Sequence, residues 1–164
     1  MKLVITDLTT RNVTVTGEHT LFEPSRPIQP CVGCFGCWIK TPGRCVLRDG
    51  YEGIGGLLGG SSELILVSRC VWGSLSPYVK NVLDRGISYV HPNFVIRHGE
   101  MHHRMRYDNH LAVSAYLYGE VGLPTEREQK TARELLEANA KNLGAELRSL
   151  DFFASATELE GIAL

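Results

Sequence analysis

Apolar residues fall along this chain in short unbroken runs separated by amphipathic stretches. Residues 2–6 (KLVIT) are apolar and β-branched, and residues 63–68 (ELILVS) and 111–117 (LAVSAYL) are continuous apolar runs, as strands buried on both faces of a parallel sheet are. Residues 146–153 (ELRSLDFF) read as a last strand. Leu21-Phe22 allow a short edge strand before Pro24, Pro27 and Pro30 break regularity. Between the runs lie helical patterns. Thr125-x-x-Glu128 is a capping box opening a helix that Gly144 ends, with Ala132, Leu135, Leu136, Ala140 and Leu143 on its apolar face. Ser76 and Pro77 supply an N-cap and a first-turn proline for a helix through Arg85. Residues 50–60 (GYEGIGGLLGG) put Tyr51, Ile54, Leu57 and Leu58 on one helical face. Each interior glycine costs about 0.8–1 kcal/mol there relative to alanine, so this helix is expected to be weak and mobile. Residues 7–16 keep a period-two texture, and no helix is expected before residue 46. The order β-(β)-α-β-α-β-α-β predicts one α/β domain over residues 1–153, a doubly wound sandwich around a mainly parallel five-stranded sheet, with residues 154–164 as a C-terminal tail. Ligands of such sheets bind outside the carboxyl ends of the strands, which directs attention to the loops after residues 6, 68 and 117.

Composition removes some classes of function. A formal net charge of −1 gives no basic surplus for nucleic acid or an anionic membrane, and no apolar stretch approaches the length of a membrane span. Met1-Lys2 leads directly into a strand, without the apolar core of a signal peptide, so a cytoplasmic location is expected. In that reducing compartment the five cysteines are expected free or metal-bound. Four of them crowd into CVGCFGCWIKTPGRC as Cys31, Cys34, Cys37 and Cys45, which core packing does not account for. Gly33 and Gly36 give the backbone freedom to wrap an inorganic core, and the turn at Pro42-Gly43 lets Cys45 reach back. The spacing admits a [4Fe–4S] cluster, a zinc ion or ordinary metal-free thiols, and it is not the bacterial ferredoxin run.

The candidate loops carry aromatic residues beside glycine. Ser68, Arg69, Cys70, Val71, Trp72, Gly73 and Ser74 follow one buried strand, and Tyr116, Tyr118 and Gly119 end the next, so a flat ligand would find stacking surfaces there. The cysteine run followed by Asp49, together with the W-G-S-x-S-x-x-x-K-x-x-x-D-R stretch from Trp72 to Arg85, resembles the flavodoxin-like NAD(P)H-dependent FMN reductases, especially the branch with iron–sulfur flavoproteins. The resemblance spans residues 28–153. It implies a flavodoxin-like fold, with FMN held by loops 68–74 and 116–119 and by donors such as Thr9 and Arg11 at its phosphate. It implies a [4Fe–4S] cluster on Cys31, Cys34, Cys37 and Cys45, or the same cysteines without one. It further implies NAD(P)H as cosubstrate, a small-molecule electron acceptor and a homodimer or tetramer. The flavin would carry the chemistry, so no catalytic side chain is assigned.

One segment departs from that family. Asp7-Leu8-Thr9-Thr10-Arg11-Asn12 stands where a Ser/Gly-rich loop normally runs into a phosphate-binding helix, and the extended residues 13–16 leave the first crossover without one. Asp7 would also repel phosphate. The alternative function is therefore a non-enzymatic iron–sulfur electron carrier or thiol redox sensor on a scaffold that has lost FMN; a metal-free scaffold protein is the third reading. Arg97, Arg104 and Arg106, in an insert before residue 111, offer a substitute phosphate grip across a dimer. His98, His102 and His103 lack a helical metal spacing and read as structural.

Overall fold

Strands whose every side chain avoids water must be covered on both faces, and the three apolar runs occupy the middle of the sheet. In the computed structural model, which describes residues 1–9 and 13–164, these are β1 (Lys2–Thr6), β3 (Glu63–Arg69) and β6 (Ala112–Tyr118). With β2 (His19–Phe22) and β7 (Glu146–Phe153) at the edges they form a five-stranded, all-parallel sheet in the order β2-β1-β3-β6-β7. That is the flavodoxin-like order, and the α/β class read from the sequence is the class observed.

The helices α2 (Ile54–Gly59), α3 (Pro77–Arg85) and α4 (Glu126–Asn142) cover one face, packing on Leu3, Ile5, Leu64, Leu66, Val113 and Ala115. The capping box of α4 is formed, with Thr125 accepting from the Glu128 N–H while Glu128 accepts from the Thr125 N–H. The Ser76 hydroxyl, by contrast, makes no capping bond and is buried without a partner. The opposite face carries no such helix among the described residues. Val4, Ile65, Val67 and Tyr118 are covered there by Val13, Leu159 and Leu164. Residues 154–164 fold back for this purpose through a 3₁₀ turn, Ala156–Leu159, and Leu164 exchanges backbone hydrogen bonds with Thr14 and Thr16 at 3.0 and 2.8 Å.

Two elements were not anticipated. A one-turn helix, α1 (Gly36–Ile39), sits inside the cysteine loop, where none was expected before residue 46. Phe35 enters it in the left-handed region, at φ 55°, and Gly36 is pressed so closely against Val46 that a β-carbon has no room. The insert before β6 is a hairpin, β4 (Val90–Arg97) and β5 (Glu100–Met105). His98 and Gly99 turn it at φ 52° and 81°, the paired positive values that a two-residue hairpin connection needs. No helix among the described residues is long and apolar enough to cross a membrane.

Candidate functional site

The carboxyl edge of the sheet, where the loops 68–74 and 116–119 converge, is tied together by one carboxylate. Asp7, at the end of β1, accepts from the Arg69 N–H at 3.0 Å and from the Tyr118 hydroxyl at 3.0 Å. Burial, then the Asp7 charge, raises the Tyr118 hydroxyl far above the usual phenol range, so it remains a donor to Asp7. Ser68 is wholly buried and accepts from the Ser76 N–H at 2.8 Å, fixing the start of α3 instead of facing a ligand. The Arg69 side chain pairs with Glu120 at 2.9 Å, and the Cys70 N–H donates to the Tyr118 carbonyl at 2.7 Å. Burial pushes the Cys70 thiol up. Val71 and Ser74 close a tight turn by two reciprocal backbone bonds, with Trp72 at φ 56° and Gly73 at φ 78° between them. Trp72 is consequently held out at 87% exposure, while Gly73 packs where a β-carbon would collide with Thr131 and the Glu128 carbonyl. Tyr116 lies against Phe153, and Gly119 sits where a β-carbon would run into the Gly122 carbonyl.

This edge fits FMN at one end only. Trp72 offers a ring face for stacking, but at the phosphate end a carboxylate occupies the strand terminus, and a phosphate brought there meets like charge. Thr9 is exposed, and Arg11 lies outside the described residues.

The cysteines gather at the other pole. Helices of a parallel sheet run against its strands, so the last turns of α3 and α4 and the end of α2 lie near the strands' amino ends. There a cavity of about 590 Å³ is lined by Cys31, Cys34, Cys37 and Cys45, with Phe35, Trp38, Leu83, Arg85, Tyr89, Val90, His103 and Leu143. The sequence placed all four thiols in one loop, and the fold turns them toward one space. Cys31 and Cys34 are exposed; Cys37 and Cys45 are buried. Burial first, then Cys45 and Cys31, raises the Cys37 thiol. Among the described residues no three His, Cys, Asp or Glu side chains stand close enough to share a metal ion, so this conformation is not a ready cage for a cluster or zinc.

The organising side chain is Arg85, which sequence reading did not single out. Only 1% exposed, it spends all five N–H donors on the cysteine loop. Nε donates to Cys45 Sγ at 3.1 Å, and the two terminal nitrogens grip Asp49 at 2.7 and 2.9 Å while also reaching the Gln29 and Leu47 carbonyls. Asp49 returns to the loop by accepting from the Gln29 and Tyr51 N–H groups. The signal was present: the two most distinctive sequence stretches end in Asp49 and in Arg85, and these ends are the pair that meets.

The insert behaves otherwise. Arg97 donates to the Lys141 carbonyl and Arg106 to the Ser88 carbonyl, so two of its three arginines brace the helix ends and do not converge on a common anion. His103 is sandwiched between Trp38 and Phe94, with ring centroids 5.0 and 4.8 Å away, and His102 meets Asn142 and Glu100. The chain matches no protein-family model and no curated protein sequence.

Proposed function

We propose that this chain is a thiol redox protein on a flavodoxin-like scaffold, in which the cysteine loop around Arg85 alternates between a dithiol and a disulfide. The observation that supports it is the convergence of four cysteines on one cavity beside a buried guanidinium bonded to Cys45. A hydrogen bond from a cation strengthens when its sulfur acceptor carries negative charge, and the thiolate is the reactive form. Oxidation removes two electrons and two protons from a pair of thiols and forms one S–S bond. The test is an anaerobic purification followed by an absorption spectrum and intact mass before and after oxidation. A colourless protein that loses two hydrogens, and regains them with a dithiol reductant, is expected. Failure to lose them removes the reading.

The second reading is an NAD(P)H-dependent FMN oxidoreductase. Its favouring observation is Trp72, held face-out by a left-handed turn at the end of β3. FMN would supply hydride and electron transfer, and Trp72 would be the residue best exposed to hold its ring. Resolved flavin bands in the same spectrum would establish it, and a broad brown absorption would establish the iron–sulfur form. Self-association belongs to the proposal as well: Phe94, Ile96 and Met101 are exposed on the hairpin, and a light-scattering mass of one chain would remove it.

A further inference from the structure

We propose that the cysteine-lined cavity binds a flat, neutral quinone, which serves as the two-electron acceptor for those thiols; the inference rests on the thiol redox reading above. Size is the first ground. About 590 Å³ lies in the range of sites for small organic molecules, roughly 300–1,000 Å³. Shape is the second. Phe35 stacks on Trp38 at 5.5 Å with their planes 17° apart, so Phe35, backed by Trp38, presents one flat aromatic wall, and Leu83, Tyr89, Val90 and Leu143 are apolar residues lining the same cavity. Phe35 is 58% exposed at that wall, a large apolar surface that a bound ring would cover.

Charge decides between ligand classes. Lys80, Asp84 and Arg85 line the cavity, but Lys80 is closed on Asp84 at 2.7 Å and Arg85 is consumed by Asp49, Cys45 and two carbonyls. His103, the remaining basic side chain of the lining, is held by the His91 carbonyl between the Trp38 and Phe94 rings. Among the described residues no lysine or arginine of the cavity is therefore left unpaired to hold a phosphate or carboxylate, which argues against nucleotides, flavin phosphate and acidic peptides in this space. A neutral aromatic oxidant satisfies an apolar wall, a planar stack and a set of thiols together. The step balances internally. Two S–H bonds break, one S–S bond forms, and the two electrons and two protons convert both quinone carbonyls to hydroxyls.

Duroquinone is the suitable probe, since its fully methylated ring has no open carbon for thiol addition, and durene is its redox-inert shape mimic. The full chain, reduced and anaerobic, is mixed with duroquinone while quinone reduction and protein mass are followed. Saturable reduction, loss of two hydrogens from the protein, and inhibition by durene are expected. Diamide, a small general thiol oxidant, provides the control. If diamide forms the disulfide but duroquinone reduction is neither saturable nor sensitive to durene, the quinone site is overturned and the thiol reading stands. When neither oxidant forms a disulfide, the thiol reading itself fails. Ligand-detected NMR on the unmodified chain gives the binding result without any variant: durene that shows no saturation transfer also overturns the site.

Discussion

Arg85 and Asp49 are the residues on which the cysteine loop depends. The hydrogen bonds from Arg85 hold the Asp49 carboxyl down to about 2 from an ordinary 3.8. A carboxyl depressed in the folded state contributes stability that is present above its unfolded value and is lost as pH falls from about 4 toward about 2. The shift corresponds to roughly 2 kcal/mol. Asp49→Asn should therefore lie below wild type at pH 7 by about 3–5 kcal/mol, because a buried guanidinium loses its counter-charge. The difference should narrow by roughly 2 kcal/mol at pH 2, where the wild-type carboxyl is about half protonated in the folded state and fully so in the unfolded chain. Urea titrations at both pH values measure this, and a gap that stays constant refutes the linkage. Asp7 acts at the opposite pole, where it accepts from the Arg69 N–H and the Tyr118 hydroxyl. Asp7→Ala should cost about 1–3 kcal/mol, leaving the Arg69 N–H and Tyr118 hydroxyl short of an acceptor. At this scale the sequence made the identity of Asp7 and of the cysteines legible, since each is chemically unusual where it stands. The partnership of Asp49 with Arg85 was not legible, because 36 residues separate them and nothing local encodes the meeting.

Elements with strong periodicity formed where their pattern placed them, and those set by backbone geometry did not announce themselves. β3, β6 and α4 belong to the first kind. α1 and the β4–β5 hairpin belong to the second: one turns on Phe35 in a left-handed conformation, and the other buries little and is rich in His and Arg. α2 corrects a subtler inference. Its glycines looked like weaknesses, yet Gly55 has Ser88 and the Tyr89 backbone nitrogen directly against it, and Gly59 faces the Tyr107 ring. They permit close packing against the 3₁₀ turn Gly86–Tyr89, which leads from Arg85 into the hairpin. Adjacent positions should then respond oppositely. Gly56 has only the Tyr107 hydroxyl nearby, at 3.8 Å, so Gly56→Ala should stabilise by up to about 1 kcal/mol through helix propensity. Gly55→Ala should destabilise by roughly 1–3 kcal/mol through overpacking. Chemical denaturation of both variants tests the point, and equal signs would return α2 to the propensity-only account.

Across the whole molecule, the strand order is that of a flavodoxin-like sheet, but the two faces are covered unequally. α2, α3 and α4 protect one side. On the other, the connection from β1 to β2 brings Val13, and residues 154–164 bring Leu159 and Leu164, both buried, onto Val4, Ile65 and Val67. Among the described residues no helix lies between β1 and β2, as the period-two pattern implied, but the sequence could not show what would cover that face instead, because a short apolar tail looks the same whether free or docked. The closing segment also joins the loop after β1 to the end of the chain through the Thr14–Ala163 bridge, so the carboxyl edge and this face share one support. Leu159→Ala should cost about 2–5 kcal/mol, the range for truncating a buried leucine. Removal of residues 155–164 should cost more, because it bares the central strands and also frees the Thr14 and Thr16 backbone groups. Hydrogen exchange separates a local from a global effect. Faster exchange confined to residues 13–16 would mark the tail as a local clasp, whereas faster exchange reaching β1 and β3 would show that it closes the core. The second pattern is the expected one, since the side chains it covers belong to β1 and to β3, the central strand of the sheet order.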